Sequence, residues 1–289
     1  MKNALKRLSR QSPLLRNLMV YAWWLVDRRQ RSFLQNGEKL RGVGKGKNCL
    51  IVLNSPSVNQ QDLRRTPFDH YFFVNRGFLH PDYPALNPKT NTFIDLKLLT
   101  GEWDFSFLET CIQTSGSQRP QFILSVDYLA DTRFADFAAR YPDDVFFIND
   151  KLSATKRFWP HPDLRRPTCG AAVFGAAINT AIHMGFNPIY FTGFEANGLC
   201  YEMIRQDSHH YGTNAENHQK TVTDYIRDLR MMANGLENLG RLARHFQNHG
   251  IRAVNATLGG LLDMFERSSI LHAEDAQERQ APSPKPHQK

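Results

Sequence analysis

Arg166-Pro167-Thr168-Cys169-Gly170 is followed by the Ala-rich run 171–184, the apolar Ile189-Tyr190-Phe191-Thr192, and Gly193-Phe194-Glu195. In that order the stretch reads as turn, helix, buried strand and acidic loop, the repeating unit of α/β folds. A turn of small residues feeding a helix N-terminus offers backbone N–H groups to a phosphate. Pro167 suits the first helical turn, and Gly185 suits the helix's end. A strand ending in Gly-x-acid sets a carboxylate at the C-terminal edge of a sheet, where such folds bind ligands. Tyr201 and the cluster Asp207-Ser208-His209-His210-Tyr211-Gly212 come next. An unshifted histidine there would suit a general base near neutral pH. Together these features read as a nucleotide site with acid–base chemistry beside it.

Working outward, short apolar runs predict further buried strands: Cys49–Leu53, His70–Asn75, Thr92–Asp95, Gln121–Val126 and Val145–Ile148, with a last one over Ile251–Asn255. Helical periodicity predicts a helix over 131–140, with Phe134, Phe137 and Ala138 on its buried face. A long amphipathic helix is expected from Thr221 to Asn248, with Leu229, Met232, Leu236, Leu239, Leu242 and Phe246 along one side. Gly259–Arg267 reads as a short helical closure. Strands alternating with helices predict an α/β fold with a doubly wound, mostly parallel sheet, as a single domain with a small lid region near 196–220. The tail 273–289, with Pro282, Pro284 and Pro286 among polar residues, reads as disordered.

The net charge of +8 is unevenly placed. Residues 1–47 hold 12 Lys/Arg against Asp27 and Glu38, a net of +10, so the rest carries −2. A nearly neutral body argues against nucleic-acid binding, which needs a basic stripe on the folded surface. In the basic arm, Lys2, Lys6, Arg7, Arg10 and Arg16 precede an apolar run from Leu18 to Val26 that holds Trp23 and Trp24. Arg28, Arg29 and Arg31 follow it. The run is shorter than the ~20 residues a spanning helix requires. Peripheral contact with an anionic membrane fits it, as does packing on the chain's own domain or in a homo-oligomer. A linker is expected over Gly42–Lys47, which makes 48–267 the α/β domain. Cys49, Cys111, Cys169 and Cys200 show no metal-ligand spacing, so no metal site is expected.

Several candidate site residues have bland alternatives. Asn54-Ser55-Pro56-Ser57 follows the first strand, where doubly wound folds place a nucleotide loop, but it also suits a simple turn. The chain lacks Gly-x-Gly-x-x-Gly and Walker A loops, which argues against dinucleotide binding and P-loop ATPase chemistry. Asn75 ends a strand and serves either a ligand or a turn. Arg166 could face an anionic substrate or sit beside Arg165 as a surface cation. Gly193 permits close approach of a ligand to the backbone, and Glu195 could accept from ribose or base. Tyr201 and Tyr211 offer phenolic O–H groups or act as half-buried aromatics.

These residues, in this order, resemble the bacterial sialyltransferases of glycosyltransferase family 42 and the related domains of unknown function in motility-associated glycosyltransferases. The similarity spans roughly 48–265 and resides in short motifs. Asn54-Ser55-Pro56-Ser57 looks like the family's Asn-Gly-Pro-Ser turn, which contacts the CMP part of the donor, and Asn75 matches an Asn after its second strand. Arg166–Gly170 looks like the Arg-x-Thr-Ser-Gly turn, with Thr168 and Gly170 kept and Cys169 replacing Ser. Thr192–Glu195 looks like the Gly-x-Asp strand end that binds the nucleotide. Tyr201 matches one of two tyrosines that assist the departing phosphate, and the other has no counterpart. Ser208-His209 opens the His-bearing loop, but Thr213 stands where the family's catalytic His belongs.

The resemblance implies a Rossmann-like, GT-A-type fold and an inverting, metal-independent glycosyltransferase. It would move sialic acid or a related ulosonic acid from a CMP-sugar to a glycan or glycolipid acceptor, in lipooligosaccharide or capsule synthesis, with no cofactor besides the donor. His210 or His209 would serve as base and Tyr201 and Tyr211 would assist the leaving group. The implied location is the cytoplasmic face of the inner membrane. Two alternatives remain at this level: a Mg²⁺-dependent, pterin pyrophosphokinase-like phosphoryl transferase, and a non-catalytic nucleotide-binding or assembly protein.

Overall fold

Cys-Leu-Ile-Val, Tyr-Phe-Phe-Val, Gln-Phe-Ile-Leu-Ser, Val-Phe-Phe-Ile and Ile-Tyr-Phe-Thr are short apolar stretches that are all buried on both faces, as strands of a covered parallel sheet must be. The computed structural model of the chain describes residues 28–150, 163–165, 172–212 and 220–272. The strands are β1 (Cys49–Val52), β2 (Tyr71–Val74), β3 (Thr90–Phe93), β4 (Gln121–Ser125), β5 (Val145–Ile148), β6 (Ile189–Thr192), β7 (Ala253–Asn255) and β8 (Glu266–Arg267). They form one sheet in the order β5-β4-β3-β2-β1-β6-β7-β8. Every pairing in it is parallel.

Alternate strand residues face opposite sides, so each strand feeds two cores. On one face Ile51, Phe72, Ile123, Phe146 and Phe191 meet α6 (Ala172–Met184) and α8 (Val222–Asn248) through Phe174, Ile178, Leu239, Leu242 and Phe246. On the other, Leu50, Phe73, Phe122, Leu124 and Phe147 meet α3 (Leu96–Thr100), α4 (Ser106–Thr114) and α5 (Thr132–Arg140) through Leu98, Leu108, Phe134 and Phe137. Each fully buried Phe contributes about 2–3 kcal/mol. The chain steps from β1 to β5 with its connections on the second face. It returns past β1 to β6 and β7 on the first, and reversing direction and face together keeps the crossovers of one hand.

Helix α6 ends as the sequence predicts. Gly185 adopts φ +86, with its N–H bonded to Ile182 and that of Phe186 to Ala181, a glycine-capped Schellman ending of α6. Thr221 and Asp224 form a capping box at the start of α8. Residues 42–47, expected as a linker, are tied to this region: Gly42 N–H bonds His183 O (3.2 Å) and Gly44 N–H bonds Met184 O (2.7 Å). Helix α1 (Arg28–Asn36) lies against β5, with Phe33 edge-on to Phe147 at 5.3 Å.

Three expectations change. Gly259–Arg267 is not a helical closure: turns lead into β8, which pairs with β7. Strand β3 begins two residues before the predicted start, because its polar Thr90 and Asn91 are fully buried and bond to His70 (2.8 Å) and to the Asn75 carbonyl (3.3 Å). The side of α8 expected to be buried is so only at Leu239, Leu242 and Phe246, while Leu229 is 46% exposed. Among the described residues no helix is long and apolar enough to cross a membrane.

Candidate active site

Strands β1 and β6 are neighbours, yet the chain leaves them in opposite directions, toward β2 and toward β7. Their following loops therefore diverge and open a crevice at the C-terminal edge of the sheet. Asn54-Ser55-Pro56-Ser57 forms one side and Gly193-Phe194-Glu195 the other. Gly193 stitches them: Ser55 N–H donates to its carbonyl at 3.1 Å. Its φ of +70 and the 2.3 Å and 2.6 Å that a Cβ would leave to Val58 Cγ2 and Leu53 O admit only glycine.

Glu195 is buried at 3% exposure. Its Oε1 accepts from Ser57 N–H at 2.8 Å and its Oε2 from Tyr201 O–H at 3.1 Å. Tyr201 lies on α7 (Gly198–Met203), and burial, with Glu195 beside it, raises its phenol above the usual value. Behind Glu195 the loop after β7 packs closely, since a Cβ on Gly260 would come within 2.9 Å of Glu195 Cα.

The end of β2 joins the same edge. Asn54 Nδ2 donates to Val74 O (3.2 Å), and Asn75 holds φ +46. Asn54 Oδ1, Ser57 Oγ, Asn75 Oδ1 and Asn91 Oδ1 are buried without a hydrogen-bond partner. The amide nitrogens of Asn54 and Asn91 are engaged by main-chain carbonyls, which orients their oxygens as acceptors. Each such group costs about 1–3 kcal/mol unless something donates to it. Ribose hydroxyls and a base's exocyclic amino group are donors of the required kind.

The His-bearing loop is clasped to this turn. His210 N–H donates to Asn54 O (2.8 Å), and Asn59 Nδ2 donates to His210 O (2.9 Å). The His80 and His210 rings meet edge to face at 5.3 Å, and His209 stacks on Tyr211 at 5.0 Å. The Arg76 guanidinium lies 4.7 Å from the Tyr211 ring and 5.1 Å from that of Phe107. His209 Nδ1 and Ser208 Oγ are 3.0 Å apart.

The expected histidine titrating near its unshifted value is not His210. Burial first, then the cationic forms of His80 and His209 and the Arg76 charge, push its pKa down to about 3, and its Nε2 is buried without a partner. His80 is likewise lowered by burial, and its Nδ1 accepts from Asp82 N–H (3.1 Å), leaving Nε2 as the protonated nitrogen. Burial, with Lys89 and Lys47, also takes His70 to about 3. Between about pH 3 and the unfolded value of ~6.5, the unfolded chain binds protons at His70 and His210 that the folded chain refuses. Stability therefore falls as pH drops through that window. Thermal unfolding at pH 7 and pH 5 should show a lower Tm at pH 5, and His210→Asn should shrink the difference to the part that His70 contributes.

The structure brings Asn54, Ser55, Ser57, Asn75, Gly193, Glu195, Tyr201, His209, His210 and Tyr211 to this one edge. Arg166, Thr168, Cys169 and Gly170 lie outside the described residues. Sequence reasoning missed Arg76, His80, Asn59 and Asn91. A signal existed for Arg76, which directly follows Asn75 at a strand's end; His80 has none, because only the fold sets it against His210. Among the described residues no three His, Cys, Asp or Glu side chains gather as a set that could hold a metal ion.

No protein-family model matches the chain, and no curated protein matches it in sequence. Solved structures similar to it include the monofunctional α-2,3-sialyltransferase Cst-I from Campylobacter jejuni, 14% identical with a TM-score of 0.48 over 79% of this chain and 82% of that one. The sialyltransferase CST-II in complex with trisaccharide acceptor and CMP is 17% identical, with a TM-score of 0.47 over 76% of this chain and 85% of that one. The sialyltransferase CstII from Campylobacter jejuni in complex with CMP-3FNeuAc is 15% identical, with a TM-score of 0.45 over 78% and 88%.

Proposed function

We propose that the chain is an inverting glycosyltransferase that takes a CMP-activated acidic sugar, sialic acid or a related ulosonic acid, to a glycan or glycolipid acceptor. The observation that carries this reading is the crevice between β1 and β6. There the buried Glu195 is pinned by Ser57 and Tyr201, beside unpartnered acceptors from Asn54 and Asn75. A ribose and an amino-bearing base supply the donors these atoms lack. The turn at 166–170 would receive phosphate.

In the transfer, the acceptor oxygen attacks the anomeric carbon, the bond from that carbon to the CMP phosphate oxygen breaks, and the acceptor proton passes to a base. His210, held neutral, suits positioning a hydroxyl by accepting from it. His209 suits the base: with its Nδ1–H donated to Ser208, Nε2 carries the lone pair. Tyr201 releases Glu195 and donates to the leaving phosphate, and Tyr211, set by Arg76, flanks it. Electrostatic and hydrogen-bond stabilisation of this kind needs no metal. Residues 196–220 would act as the lid. The basic arm, at the cytoplasmic face of a membrane, would hold the enzyme near lipid-linked acceptors.

Tyr201→Phe is expected to lower kcat roughly 10²-fold with a smaller change in KM, the pattern for a donor used in the transition state. Transfer assays with CMP-sialic acid and CMP-ulosonic donors check it, and an unchanged kcat removes Tyr201 from the chemistry. A second reading, a nucleotide-binding protein without catalysis, is favoured by the depressed His210 and by Thr213. Full transfer activity in both His209→Ala and His210→Ala would refute the histidine mechanism. CMP binding with no turnover in the unaltered chain would establish the second reading.

A further inference from the structure

Helix α8 carries two apolar stripes, and among the described residues the core takes the first and, of the second, only Leu236 in part. Leu239, Leu242, Ala243 and Phe246 enter the core. Roughly 100° round the helix, at 3.6 residues per turn, runs a second stripe: Val222, Ile226, Leu229, Ala233, Leu236 and Gly240. Its spacing alternates four and three residues, the seven-residue repeat of a helix that packs along another helix. Val222 is 75% exposed and Ile226 and Leu229 are each 46% exposed. Ala233 is exposed too, and Leu236 is only half-buried.

Gly240 gives an independent sign. It sits inside α8, where glycine weakens a helix relative to alanine. Nothing among the described residues requires it: a Cβ there would meet only the tip of Arg244 among them, at 3.9 Å. A glycine on an exposed apolar stripe is accounted for by the close approach of another helix.

We propose that this stripe is the seam of a homodimer in which α8 pairs antiparallel with α8 of a second copy. A two-fold axis at the level of Met231 places Ile226 against Leu236, Leu229 against Ala233, and Val222 against Gly240. Branched residues thus meet small ones in the two layers that flank the Ile–Leu layer, so the surface is complementary to itself, as an isologous interface must be. Charge agrees with a protein partner. From Val222 to Gly235 the helix carries Asp224 and Asp228 against Arg227 and Arg230, a net of zero. Such a face gains nothing from an anionic lipid surface.

Sedimentation velocity of the full chain across the micromolar range tests this. The unaltered chain should sediment as a dimer, and Leu229→Glu should sediment as a monomer at concentrations where the unaltered chain is dimeric, with its Tm and circular dichroism retained. Gly240→Leu provides a second variant that adds helix propensity yet blocks the seam, so it too should be monomeric. A monomeric unaltered chain, or dimers that persist in both variants, would overturn the proposal. So would an unaltered monomer that binds phosphatidylglycerol vesicles and loses that binding in Leu229→Glu.

Discussion

Glu195→Gln is expected to keep the fold and to weaken binding of a cytidine nucleotide by about one to two orders of magnitude, whereas Glu195→Ala should lose both binding and stability. The Gln side chain can still accept from Ser57 N–H, so the turn after β1 stays joined to the loop after β6. It lacks the charge that makes an acceptor strong, and hydrogen bonds to a charged group are worth about 1.5–3 kcal/mol. The Ala variant also leaves the Ser57 N–H buried without an acceptor, a further cost of about 1–3 kcal/mol. Calorimetric titration with CMP and thermal unfolding separate the two effects. Equal affinity in the Gln variant and the unaltered chain would remove Glu195 from nucleotide recognition.

Gly193→Ala should produce the largest loss of stability of any single methyl added to the chain's site. Two penalties add. A φ of +70 costs an L-residue about 1–3 kcal/mol. The new Cβ would also lie 2.6 Å from the Leu53 carbonyl oxygen, a main-chain atom that cannot turn aside, and overpacking of this kind costs about 1–3 kcal/mol more. At roughly 2–4 °C per kcal/mol for a domain of this size, Tm should fall by roughly 10 °C. Movement of Gly193 also disturbs Ser55, whose N–H it accepts, so nucleotide affinity should fall with stability. A variant with unchanged Tm would mean that the β1 and β6 loops are not packed as described.

Much of this architecture is legible in the chain because burial writes itself into short apolar runs. Strands β1, β4, β5 and β6 are such runs, and the predicted bounds of β5 and β6 match those observed. The start of strand β3 hides because Thr90 and Asn91 are polar, and their burial is matched by side-chain bonds to His70 and to the Asn75 carbonyl supplied by the fold. Strand β8 hides because Glu266 and Arg267 are exposed and their ladder depends on β7. The second stripe of α8 was merged with the first in the sequence, since one helical wheel cannot say which side meets a sheet.

The candidate site divides the same way. Asn54, Asn75, Glu195 and Tyr201 follow strand ends, and their convergence needs only the sheet order. The state of His210 depends on burial and on His80, Arg76 and His209, and no spacing encodes that environment. The sequence points Tyr201 at a phosphate, yet its hydroxyl bonds Glu195, six residues earlier on the same side of the crevice, a contact set by the turn into α7.

The most direct test is calorimetric titration of the full chain with CMP, UDP and ATP, each with Mg²⁺ and with EDTA. Recognition by the β1–β6 crevice predicts one CMP site per chain, an affinity indifferent to Mg²⁺, and weaker binding of the other two nucleotides. No heat with CMP, or a response confined to ATP with Mg²⁺, would contradict it.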